Sequence, residues 1–202
     1  MNKQKVFKFK FEKNENFHDF YVNKTNVNAY NGIIENKNKN ILLIGPKKSG
    51  KTYLSDIWIQ KNNAIKLNNN FNQIINNSYN IIIDNINKNY NEEELFHILN
   101  HCKFNNSKIL ITSNLEINEI NFVLKDLISR LKTFTYLKIN QPDDDMLTKI
   151  LTKLFIKKQF VINSNEVFQY ILKNANRSYL NIFNIVNKLD YLSLEKKRQL
   201  TI

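Results

Sequence analysis

Gly45-Pro46-Lys47-Lys48-Ser49-Gly50-Lys51-Thr52 follows directly on the apolar run Ile41-Leu42-Leu43-Ile44. Glycines spaced five apart, then Lys and Thr, form a phosphate-binding loop. The glycines let backbone N–H groups turn inward, the lysine reaches phosphate oxygens, and the threonine hydroxyl is offered to Mg²⁺. The chain has 202 residues and only three glycines, so two of them falling here is a local demand for backbone freedom. The motif needs a strand before it and a helix after it. Residues 41–44 supply the first, and 52–59 place apolar side chains at helical spacing, with an anion favoured at the helix start.

Working outward, strands and helices alternate. Short strands are expected at 64–67, 79–84, 108–114 and 135–139, with helices at 92–102 and 122–131. This alternation argues for a mainly parallel sheet covered on both faces. After Pro142 the pattern becomes helical. Asp143, Asp144 and Asp145 suit a helix start, and Met146, Ile150, Leu151, Leu154 and Phe155 form one apolar stripe. Further helices are expected at 165–174 and 178–192. The expected organisation is a tail at 1–12, an α/β base at 13–140 and a small helical lid at 141–202.

Asp84 ends its strand where a nucleotide-binding sheet holds the carboxylate that meets Mg²⁺ through water. Asn85 stands next to it, where a second carboxylate would polarise water, and an amide cannot accept that proton. Ser113 and Asn114, ending the following strand, have the chemistry to hold an attacking water or a γ-phosphate oxygen, or to serve as turn residues. Arginine occurs only at Arg130, Arg177 and Arg198. In a chain whose default cation is lysine, a retained guanidinium fork marks a place for phosphate. His97, His101 and Cys102 have the outline of metal-ligand spacing, but without the H-E-x-x-H order they read as ordinary helix residues.

The single cysteine excludes an internal disulfide framework, and no opening segment joins a basic start to a long apolar core; a cytoplasmic protein without a membrane span is expected. Net charge is +12. Such a surface permits non-specific contact with DNA, although the saturation with Asn, Lys and Ile also follows from AT-rich codon usage.

The order of parts resembles the AAA+ proteins, and within them the DnaA initiator family with its Hda-type regulators. Glu92-Glu93-Glu94-Leu95-Phe96-His97-Ile98-Leu99-Asn100 is similar to the acidic helix start after the magnesium-site strand of that family. Asp126-Leu127-Ile128-Ser129-Arg130-Leu131 resembles its arginine-finger segment, and Asn176-Arg177-Ser178 its second sensor. The resemblance to alphaproteobacterial Hda-type regulators runs through Pro142-Asp143-Asp144 and Arg177-Ser178. Residues 20–29, with Val22 and Asn26, look like the segment over the adenine.

The resemblance implies a P-loop nucleotide-binding base with a lid, holding ADP or ATP on Gly45 to Thr52, with Mg²⁺ at Thr52 and Asp84. Asn114 would assist at the γ-phosphate, Arg177 would touch the chain's own nucleotide, and Arg130 would act in trans on ATP held by a DnaA-type initiator. Gln4, Phe7 and Phe9 resemble the Hda peptide that docks on the replicative sliding clamp; an edge strand with Phe7, Phe9 and Phe11 alternating inward is the other reading. The implied role is regulatory inactivation of the initiator, in a cytoplasmic, nucleoid-associated setting, with weak hydrolysis by the chain alone. The initiator's DNA-reading helix-turn-helix domain is not expected here. The alternative is a helicase-loading or DNA-remodelling AAA+ ATPase acting on single-stranded DNA, its Lys and aromatic residues contacting the strand.

Overall fold

The computed structural model describes residues 20–37, 40–67, 78–87, 89–160 and 166–196. They fall into two compact units, Val22–Asn140 and residues 141–196 with 20–21. In the first unit, β1 (Asn40–Ile44), β2 (Ile65–Lys66), β3 (Ile81–Ile86), β4 (Ile109–Ser113) and β5 (Thr135–Lys138) form one sheet of order β2-β3-β4-β1-β5. Every pairing is parallel. The helices of this unit are α1 (Val27–Glu35), α2 (Lys51–Asn62), α3 (Glu92–Phe104), α4 (Ile117–Ile120) and α5 (Lys125–Leu131).

The apolar runs in the sequence are the inner strands. Ile41, Leu42 and Leu43 are fully buried, as are Ile81, Ile82 and Ile83 and Leu110 and Ile111, because a parallel sheet is covered on both faces. Leu42, Ile44, Ile81, Ile83, Ile109 and Ile111 share one core with Leu95, Ile98 and Leu99 of α3 and Leu127 and Leu131 of α5. Alternate residues point to the other face, where α1 and α2 pack. In the second unit α6 (Asp144–Lys157), α7 (Glu166–Asn174) and α8 (Tyr179–Lys196) close around Leu147, Leu151, Phe155, Ile171, Ile182 and Val186. Asp143 caps α6 by accepting the Met146 amide at 2.9 Å, as the acidic start implied.

Three elements differ from their sequence reading. Val27–Glu35 is helical, with Ala29 and Ile33 four apart and buried, inside and beyond a segment read only by resemblance. The helix expected from residue 122 starts at Lys125; Phe122 to Leu124 form its approach, preceded by the one-turn α4. The strand expected to close at Asp84 continues to Ile86 through a bulge. Asn85 takes φ 60° there, a left-handed conformation that Asn tolerates better than most residues.

Leu42 lies between β4 and β5 with no exposed surface. Leu42→Ala should therefore lower stability by about 2–5 kcal/mol, read as a fall in the urea midpoint with an unchanged denaturant slope.

Candidate functional site

β1 is flanked by β4 and β5, so the loop that leaves it sits where the ends of three strands converge. Gly45 N–H donates to Ser113 O at 3.1 Å, and Ile139 N–H donates to Ile44 O at 2.8 Å. A Cβ on Gly45 would stand 2.9 Å from Ile139 Cβ and 3.2 Å from its carbonyl oxygen, so the residue has to be glycine. Gly50 precedes α2 at φ 96° and Lys48 sits at φ 66°. These left-handed residues turn the chain into the helix and leave the first amides of α2 facing out of its N-terminus.

Lys51 is buried. Its ammonium donates to Gly45 O at 2.6 Å, Pro46 O at 2.8 Å and Asn114 Oδ1 at 2.8 Å, which accounts for all three donors. Burial pushes its pKa down to about 8, against a smaller opposing pull from Asp84. Ser49 Oγ is buried without a partner, while Thr52, Lys47 and Lys48 are exposed. An orphan hydroxyl, a buried cation, outward helix amides and an exposed threonine together fit a phosphate chain and its divalent cation.

Asp84 Oδ1 accepts the Thr112 hydroxyl at 2.6 Å, and Oδ2 pairs with Lys66 Nζ at 2.7 Å. Burial raises the Asp84 pKa, but the bonds from Lys66 and Thr112 and the charges of Lys66 and Lys51 outweigh it and hold the carboxyl below its ordinary value. Thr112 Oγ1 also accepts the Asn85 amide at 2.7 Å, and Asn114 Nδ2 donates to Asn85 Oδ1. One polar chain thus runs from Lys51 through Asn114, Asn85 and Thr112 to Asp84. Lys66 is half exposed, and ion pairs near the surface are worth about 1 kcal/mol or less.

Ser113 does not join this chain. Its hydroxyl donates to Leu115 O at 2.6 Å and accepts the Leu115 amide, so it closes the turn after β4. Sequence reasoning missed Thr112 and Lys66. Thr112 could have been found as a polar residue inside an apolar strand; nothing in the sequence marks Lys66.

The remaining candidates lie apart. Arg130, on the last turn of α5, has its guanidinium carbon 5.0 Å from the centre of the Phe96 ring. It borders a depression of about 490 Å³ that also touches Asn40 and Ile109, the first residues of β1 and β4. That depression reaches the edge of the sheet where β1 and β4 begin, whereas Lys51 follows the other end of β1. Val22 is partly buried. Asn26 is buried, with Oδ1 accepting the Asn23 amide at 2.9 Å, a turn before α1. Arg177, in the second unit, pairs with Asp144 at 3.4 Å with both side chains exposed. Gln4, Phe7, Phe9 and Arg198 lie outside the described residues. His101 Nε2 bonds Asn105, and burial pushes the Cys102 thiol up to about 12. Among the described residues no His, Cys, Asp and Glu form a metal cluster, and no helix is long and apolar enough to cross a membrane.

Residues 144–202 match the family model "Hda, lid domain". The chromosomal replication initiator protein DnaA of Buchnera aphidicola subsp. Cinara cedri is 28% identical over 174 residues, 84% of this chain and 38% of that protein. A second Buchnera DnaA, from subsp. Baizongia pistaciae, is 27% identical over 98% of this chain. The chain spans half or less of the length of these curated relatives. Domain III of DnaA from Thermotoga maritima superposes with a TM-score of 0.77 at 17% identity, covering 96% of this chain and 94% of that one. DnaA bound to AMPPCP and single-stranded DNA superposes at 0.70 and 19% identity, covering 92% and 68%. The fold is that of the AAA+ domain in these structures.

The depressed pKa of Lys51 has a signed consequence. Its folded-state value near 8 lies below the ordinary 10.5, so between these values the unfolded chain binds more protons and stability rises with pH. Thermal unfolding of wild type and Lys51→Met from pH 7 to 10.5 should show the wild type gaining relative to the variant above pH 8. Parallel curves would contradict a buried, proton-losing Lys51.

Proposed function

We propose that this chain, an AAA+ protein of the Hda and DnaA family and of replication initiation, is a nucleotide-holding regulator that lends Arg130 to ATP bound by a DnaA-type initiator. Gly45 to Thr52 would hold ADP or ATP, with Ser49 and the helix amides at the phosphates and Lys51 as the cation. Thr52 and Asp84 would hold Mg²⁺, whose chemistry is neutralisation of phosphate charge. Asn114 would assist at the γ-phosphate, a role supported by its bonds to Lys51 and Asn85. Arg177 would serve as the lid's nucleotide sensor. Asn85 offers an amide where water activation needs a base, which supports slow hydrolysis by the chain alone.

The observation that carries the reading is the position of Arg130. A guanidinium on a depression that reaches the sheet edge opposite the loop supports action on another molecule's phosphates rather than on the chain's own. A fork at that place stabilises charge developing on a transferring phosphoryl group, which a point charge does poorly. The net charge of +12 favours a second reading, remodelling of single-stranded DNA; binding to the sliding clamp measured against binding to single strands separates the two.

Single-turnover hydrolysis of initiator-bound ATP, with clamp and DNA present, tests the main reading. Arg130→Ala should lower the stimulated rate by roughly 10³-fold or more, leave this chain's own ADP affinity nearly intact, and be rescued poorly by Arg130→Lys. Equal rates from all three would reduce Arg130 to a helix-end residue.

Clamp docking rests on Gln4, Phe7 and Phe9. Changing all three to Ala should abolish clamp binding in surface plasmon resonance and leave the melting temperature unchanged. A large loss of stability would favour an edge strand packed on the chain's own core.

A further inference from the structure

α5 has seven residues, too few to hold a helix by its own hydrogen bonds, and it carries the guanidinium on which the proposed function rests. Its N-cap residue Leu124 offers no side-chain acceptor. In a capping box the N3 side chain would take the N-cap amide, but N3 of α5 is Leu127, buried in the core. The acceptor comes instead from α3. Glu92 accepts the Leu124 amide at 2.7 Å and the Val123 amide at 2.9 Å, both charge-assisted bonds to backbone. One turn further along α3, Phe96 lies under the Arg130 guanidinium at the other end of α5. Leu127 and Leu131 fix the inner side of α5, and Phe96 is itself packed against that core, so the ring is a firm platform.

We propose that Glu92 and Phe96 are positioning residues for Arg130: the carboxylate sets where α5 begins, and the ring face sets where its guanidinium points. The spacing makes this a single device. Residues i and i+4 of α3 lie on one face, so one turn of α3 grips both ends of α5. A planar cation over an aromatic face keeps its N–H edge free for an incoming anion, whereas a salt bridge to a carboxylate would occupy that edge. The proposal rests on the reading of Arg130 as a residue that acts on another molecule's nucleotide.

The test uses the full chain with Phe96→Leu, Phe96→Tyr, Glu92→Ala, Arg130→Ala and the two doubles with Arg130→Ala. Two quantities are measured: the stimulated single-turnover rate on initiator-bound ATP, and ¹⁵N relaxation of Arg130 Nε in the isolated protein. Phe96→Leu should lower the rate roughly five- to tenfold and loosen Arg130 Nε, while Phe96→Tyr, which keeps the ring, retains both. Glu92→Ala should lower the rate and speed amide exchange at Leu124. Neither change should slow the reaction further once Arg130 is Ala; a merely structural role would carry its loss into that background and overturn the proposal. If Arg130→Ala collapses the rate and Phe96→Leu and Glu92→Ala do not, positioning is refuted and the function stands. If Arg130→Ala leaves the rate unchanged, the function is refuted, and Arg130 Nε equally ordered in wild type and Phe96→Leu would refute the positioning as well.

Discussion

The site is organised around one buried ammonium. Lys51 has little access to water, and an isolated charge taken out of water is costly unless every donor finds an acceptor. Gly45 O, Pro46 O and Asn114 Oδ1 provide those acceptors. Two of them belong to the loop and one to the end of β4, so satisfying a single side chain ties the P-loop to the neighbouring strand. The same requirement explains the geometry around it: Gly45 has to pass Ile139 without a Cβ, and Gly50 has to turn left-handed so that α2 starts at Lys51 itself.

From Asn114 the constraint spreads along the strand ends. Its amide oxygen accepts from Lys51 and its N–H donates to Asn85, and Asn85 is aimed by a bulge that places its backbone N–H on Thr112. Asp84 is thereby kept ionised by a hydroxyl and by Lys66. A change at Lys51 is felt at Asp84 both along this chain of hydrogen bonds and through the direct attraction between the two charges. The contact between α3 and α5 uses different physics. There Glu92 holds the backbone amides before α5 by its carboxylate, and one turn later the Phe96 ring lies under the Arg130 guanidinium.

The core strands, the loop and the acidic starts of α3 and α6 were legible because each is a local demand. Ile41 to Ile44 must be buried on both sides, Gly45 and Gly50 must adopt or permit what other residues resist, and Asp143 must answer the open amides of α6. The start of α5 and the bulge at Asn85 were not legible. The first is decided by Glu92, 32 residues before Leu124 in the chain and adjacent to it only once α3 is packed. The second depends on Thr112 lying beside β3.

By itself, the sequence determined the parallel α/β base, the phosphate-binding loop, the helical section after Pro142 and a scarcity of arginine that marked Arg130, Arg177 and Arg198 alike. Those follow from side-chain period, backbone freedom and composition, which are properties of neighbours along the chain. Tertiary structure decided that Asn114 and not Ser113 reaches Lys51, that Lys66 and Thr112 hold Asp84, and that Phe96 and Glu92 grip the helix bearing Arg130. These depend on strand order and helix packing, which bring together residues whose separation along the chain carries no trace of the contact.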